Sequence, residues 1–99
     1  MIKCRLIKKK KLNQIRVKLD NLDNKLILLI KYRTTLVREV LNLKEFKKEI
    51  IDKKRINFIL TKIKSKSKKH GIDPKITNRI WKNMIWSYID FEKRNFKKK

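Results

Sequence analysis

Along the first half of the chain, apolar side chains recur in alternating steps of three and four. The series runs Leu12, Ile15, Leu19, Leu22, Leu26, Leu29, Arg33, Leu36, Val40 and Leu43, with Arg33 the one polar member. Such a repeat lines one stripe of a helix and forms the seam along which long helices pack together. It predicts a first helix from about Leu12 to Leu43, roughly 48 Å long at 1.5 Å per residue. A compact domain of 99 residues is narrower than that, so one chain cannot cover the stripe. The pattern therefore predicts an oligomer in which the long helices of two chains pack together.

Beyond Lys44 the pattern restarts twice. Residues 45–49 read as a turn and the approach to a second helix, whose apolar face is Ile51, Arg55, Phe58, Ile59 and Ile63. That helix fades into Lys64-Ser65-Lys66-Ser67-Lys68-Lys69, and His70-Gly71 reads as its C-terminus, with Gly71 free to turn left-handed. Asp73-Pro74 reads as an N-cap followed by proline at the first helical position. The third helix carries Ile76, Ile80, Trp81, Met84, Ile85, Tyr88, Ile89 and Phe91. With one Gly, one Pro and no strand-like alternation, the fold class is all-α, three helices per chain with one long and two shorter. The organisation expected is a basic N-terminal extension over 1–11, one helical domain over 12–96 and a basic tail over 97–99.

Composition narrows the setting. A lone cysteine, Cys4, excludes an internal disulfide framework and fits a reducing compartment. No long apolar run follows the basic N-terminus, so a secretory signal is not expected, and Leu26–Ile30 is far too short to span a bilayer. A cytoplasmic protein with no membrane partner is the expectation. The net charge of +22 invites a nucleic-acid reading, since a basic surface attracts any polyanion. The lysines are dispersed, however, and no base-reading motif accompanies them. Abundant Lys, Ile and Asn with no Ala fit a coding bias better than selected polyanion binding.

Arg33 changes the picture most. An arginine inside an apolar seam is desolvated on folding, and an unpaired buried charge costs several kcal/mol. Its partner is either a carboxylate of the protein, with Asp52 and Asp90 the candidates, or a carboxylate of a ligand. Lys44, 11 residues on, projects from nearly the same helical face, about 16 Å away, so the two cations could grip a small dianion. Arg16 lies about 25 Å back along the axis and could reach that ligand only from an antiparallel partner helix. Taken singly, Lys44 and Arg16 read as solvated cations and Glu92 as a salt-bridge partner. Trp81, Met84, Trp86 and Tyr88 read as core, and the lysine runs as solvated ends.

Taken together, these residues resemble a family. Arg16-x-x-Leu19-Asp20-x-Leu22-Asp23-x-x-Leu26, then Arg33, then Lys44, is similar to the all-helical class of chorismate mutases. Asp52-Lys53-Lys54-Arg55, Gly71-Ile72-Asp73-Pro74 and the Trp81–Glu92 stretch are also similar, so the resemblance covers roughly residues 12–95. It implies three helices per chain in an intertwined homodimer with two equivalent sites. It implies that Arg33, with Arg16 of the partner subunit, binds the two carboxylates of the substrate. Lys44 would bridge a carboxylate and the ether oxygen, Glu92 would hydrogen-bond that oxygen, and Asp52, Lys54, Arg55 and Tyr88 would line the site. The reaction implied, chorismate to prephenate, is a unimolecular rearrangement needing no metal and no cofactor.

Two departures have consequences. Where the family commonly carries a hydroxyl-binding glutamate near the start of helix two, Lys54 stands here, and Glu49 or Asp52 could substitute. The Trp86-Ser87-Tyr88 neighbourhood is similar to the isochorismate-pyruvate lyases of the same fold, so a salicylate-forming lyase is the alternative activity. At the ether oxygen many relatives have glutamine, whereas Glu92 can donate a hydrogen bond only when protonated. The expectation is activity that declines toward alkaline pH. A basic helical protein that binds nucleic acid without catalysis is the alternative from another class.

Overall fold

The computed structural model describes residues 2–98; Met1 of the expected extension and Lys99 of the expected tail lie outside the described residues. Among the described residues, three α-helices follow one another: α1 (Ile2–Leu43), α2 (Lys53–Lys69) and α3 (Pro74–Asn95), with a short 3-10 turn at Lys47–Glu49. No strand occurs among the described residues, and none of the helices is long and apolar enough to cross a membrane. The chain is all-α, as its periodicity predicts. It divides into two units, Met1–Thr35 and Leu36–Lys99.

The first unit is helical from Ile2 onward, so α1 begins ten residues before the apolar repeat does. The extension is part of that helix because nothing in Lys3–Lys11 breaks it: there is no glycine or proline, and Lys, Arg and Leu, which make up most of it, have good helix propensity. The seam leucines are open within one chain, with Leu12 45 % exposed, Leu22 52 % and Leu29 62 %. Thr34 and Thr35 donate back to the carbonyls of Ile30 and Lys31, at 2.8 and 3.2 Å.

The second unit holds the core. Leu41, Ile50, Ile85 and Ile89 are buried, flanked by Ile51, Ile56, Ile59, Leu60 and Phe96. The link between α1 and α2 is built from local bonds. Lys44 N donates to Leu41 O at 3.1 Å, Glu49 N to Phe46 O at 3.0 Å and Ile50 N to Lys47 O at 3.1 Å. Asp52 caps α2 by accepting from Arg55 N at 3.0 Å. At its other end Ile72 N reaches Ser67 O (2.8 Å) and Gly71 N reaches Lys68 O (3.2 Å), the two bonds of a Schellman ending. Gly71 has φ 69°, where a side chain would be strained. Asp73 then caps α3 through Lys75 N at 2.9 Å, with Pro74 opening the helix.

Two readings of the amphipathic faces are corrected. On α3 the buried stripe is Ile85, Ile89 and Glu92, spaced by four and three, which leaves Trp86 one position round the helix and 54 % exposed rather than in the core. On α2 the inner face is Ile56, Ile59, Leu60, Ile63 and Ser67, so Phe58 faces outward at 52 % exposure. Its ring is covered by cations instead, with the Arg55 guanidinium at 5.3 Å and the Lys62 ammonium at 5.1 Å.

Ser67 is a buried polar residue that joins α2 to α3. Its Oγ donates to Ile63 O at 2.7 Å and lies 2.6 Å from Thr77 Oγ1. Replacing Ser67 with Ala leaves the Thr77 hydroxyl with a poorer partner, Pro74 O at 3.3 Å. Urea denaturation of Ser67→Ala is expected to show a loss of about 1–2 kcal/mol, with the helical content unchanged.

Candidate functional site

Lys44 is the residue at which α1 stops, and its ammonium turns toward α3. Glu92 occupies the last position of the buried stripe on α3, one turn beyond Ile89, so the register that hides Ile85 and Ile89 also carries this carboxylate inward. The two meet across 48 residues of sequence: Lys44 Nζ lies 3.2 Å from both Glu92 Oε1 and Oε2. The side chains are 18 % and 8 % exposed. Such a carboxylate is stable inside a protein only beside a cation.

The other sequence candidates divide into groups. Tyr88, one turn before Glu92, is half-buried and meets Phe91 edge-on at 6.5 Å between ring centroids. Glu49, Asp52 and Lys54 line one open cleft at the start of α2. Two of those three groups already serve the backbone: Glu49 Oε2 accepts from Glu45 N at 3.1 Å, and Asp52 is the α2 cap. Arg55 extends over Phe58, on the outward side of α2. Arg16, exposed, and Arg33, half-buried, lie on α1 in the first unit. Asp90, considered as a partner for Arg33, is engaged by Arg94 in an exposed i,i+4 pair at 2.9 Å.

Three contributors carry no sequence signal. The Arg38 guanidinium lies 5.1 Å from the centre of the Phe91 ring, tying the last turns of α1 to α3. Ser67 and Thr77 hold α2 to α3. Lys98, expected to be a solvated end, donates to Asn42 O at 2.6 Å. Each depends on how segments distant in sequence pack together, which periodicity within a helix does not encode.

The Lys44–Glu92 geometry makes a direct stability prediction. Lys44→Met strands a buried carboxylate and is expected to cost on the order of 3 kcal/mol in urea denaturation. The double variant Lys44→Met/Glu92→Leu should recover much of that loss, because no charge is then left unpaired. Additive losses would show that the two groups are not coupled.

The arrangement offers one ammonium held by a buried acid. Chemically it can present positive charge and a hydrogen-bond donor to an oxygen that becomes negative. The sequence pattern of the family described as chorismate mutase type II matches residues 15–93, a span that includes Arg16, Arg33, Lys44 and Glu92. A protein of Methanocaldococcus jannaschii named chorismate mutase is 34 % identical over 76 residues, covering 76 % of this chain and 77 % of its own length. No solved structure matches the chain significantly. The match runs from the apolar seam of α1 through the turn bearing Lys44 to the residue after Glu92, and the chain belongs to the chorismate mutase type II family.

Proposed function

We propose that this chain is a chorismate mutase that converts chorismate to prephenate as a homodimer, with Arg33 and Arg16 of the partner subunit binding the two substrate carboxylates. The observation that carries the reading is the approach of Lys44 to Glu92, two positions that the family resemblance assigns to the ether oxygen. The dimer is supported by a chain that leaves Leu12, Leu19, Leu22, Leu26 and Leu29 open to solvent along one helical stripe.

The chemistry is a rearrangement within one molecule. The bond from the ring to the ether oxygen breaks while a new carbon–carbon bond forms, and negative charge grows on that oxygen in the transition state. Cationic side chains held at both carboxylates keep the enolpyruvyl arm over the ring and so remove much of the entropic barrier. Lys44, fixed by its acid partner, supplies charge stabilisation where the oxygen becomes negative, with little reorganisation during the reaction. Glu92 is the second group that the family resemblance assigns to the same oxygen. Asp52, Lys54, Arg55 and Tyr88 belong to the same proposal as groups that contact the ring or the side arm. The reaction needs no metal or cofactor, and the dianion is the small-molecule partner.

Incubating the purified protein with chorismate is expected to yield prephenate. Salicylate from isochorismate would assign the lyase activity instead, and neither product, with nucleic-acid binding that falls steeply with salt, would assign the non-catalytic reading. Arg33→Ala is expected to lower kcat/KM by roughly 10²-fold or more, while sedimentation shows an unchanged dimer.

Glu92 divides two roles. A hydrogen-bond donor to the ether oxygen is one; a carboxylate that holds the Lys44 ammonium is the other. Glu92→Gln should keep turnover if the first role holds, because an amide NH2 donates to the ether oxygen. Loss of turnover in a folded Glu92→Gln would assign Glu92 to orienting Lys44 as a carboxylate.

A further inference from the structure

The last turn of α1, Val40–Leu43, contains no basic residue of its own. The final carbonyls of a helix have no partners within it, and its C-terminal end carries partial negative charge. Leu41 O is met locally by Lys44 N at 3.1 Å. Asn42 O is met from the far end of the chain by Lys98 Nζ at 2.6 Å. A cation distant in sequence thus does what a lysine or arginine in the last turn of a helix does elsewhere.

Lys98 is not a loose end. After α3 the backbone turns extended at Phe96 (φ −73°, ψ 121°), whose side chain packs against the core cluster beside Leu41. Asn95 Nδ2 donates to Phe91 O at 2.8 Å, keeping the last turn of α3 closed. Arg38 over the Phe91 ring gives a second tie one helical turn before Asn42. The C-terminal segment is therefore a strap from α3 across the end of α1, fastened at Phe96 by apolar contact and at Lys98 by a charge-assisted hydrogen bond. Lys44 lies two residues past the carbonyl that Lys98 holds.

We infer that Lys98 is a positioning residue for Lys44: its bond to Asn42 O fixes the end of α1 and so sets the Lys44 ammonium against Glu92. The kinetic part of this inference rests on the proposed mutase activity. Without Lys98, Asn42 O turns to water, the last turn of α1 frays and Lys44 loses its fixed starting point. Displacements of about 1 Å at a catalytic group can cost up to about 10²-fold in rate. An exposed hydrogen bond backed by the Phe96 contact should permit only part of that displacement.

The test uses the full-length protein and three variants, Lys98→Met, Lys98→Arg and Lys97→Met. For Lys98→Met, kcat is expected to fall roughly three- to tenfold with KM for chorismate little changed. Lys98→Arg, which can remake the bond, should return kcat to near the parent value. Lys97→Met, which removes an equal charge from the same tail, should leave it unaltered. Amide hydrogen exchange at residues 43–45 should quicken in Lys98→Met alone. Equal kcat in Lys98→Met and the parent overturns the inference, even if thermal stability drops, and so does a fall that arginine does not rescue. Should the parent chain fail to turn over chorismate, the proposed function falls, and the exchange measurement alone decides the strap: unchanged exchange overturns it.

Discussion

A carboxylate on a side chain that is 8 % exposed must meet a cation, and the second unit is organised around that requirement. Glu92 is carried inward by the same stripe that buries Ile85 and Ile89, so its position follows from core packing rather than from a surface accident. The cation that answers it, Lys44, is available only because α1 ends where it does. The end of α1 is in turn fixed by Leu41 in the core, by Arg38 on Phe91 and by Lys98 on Asn42 O. One electrostatic demand links the terminus of one helix, the register of another and the C-terminal segment.

The pair also explains how a small chain can hold a lysine side chain still. Among the described residues, four form the buried apolar core, too few to immobilise a long, flexible lysine by packing alone. Bonding to both oxygens of one carboxylate removes rotamer freedom that a solvated lysine would keep. The same arrangement suits a rearrangement that needs fixed charge more than it needs a nucleophile or a base. In the proposed dimer, the exposed seam of α1 supplies both the buried area that a single chain lacks and the second arginine.

The sequence made the helices legible because each is specified by local chemistry. The three-and-four repeat from Leu12 to Leu43 predicts α1, Asp52 and Asp73 act as the caps they look like, and Gly71 adopts its left-handed turn. Arg33 stands out as the polar break in the apolar seam, and Lys44 and Glu92 through family spacing, which reads positions along a chain. The start of α1 at Ile2 was less visible, since a lysine-rich stretch is equally compatible with helix and with a solvated tail.

Only tertiary structure decided which side of each shorter helix faces inward. Phe58 and Trp86 are as apolar as their neighbours, yet both lie outward in the single chain, because the buried stripes are set by contacts between helices. It likewise decided that Lys44 meets Glu92, that Ser67 meets Thr77 and that Lys98 caps α1. Local periodicity determines what kind of surface a helix has. The relative rotation and offset of two helices, settled by mutual packing and charge pairing, determine which residues on those surfaces meet.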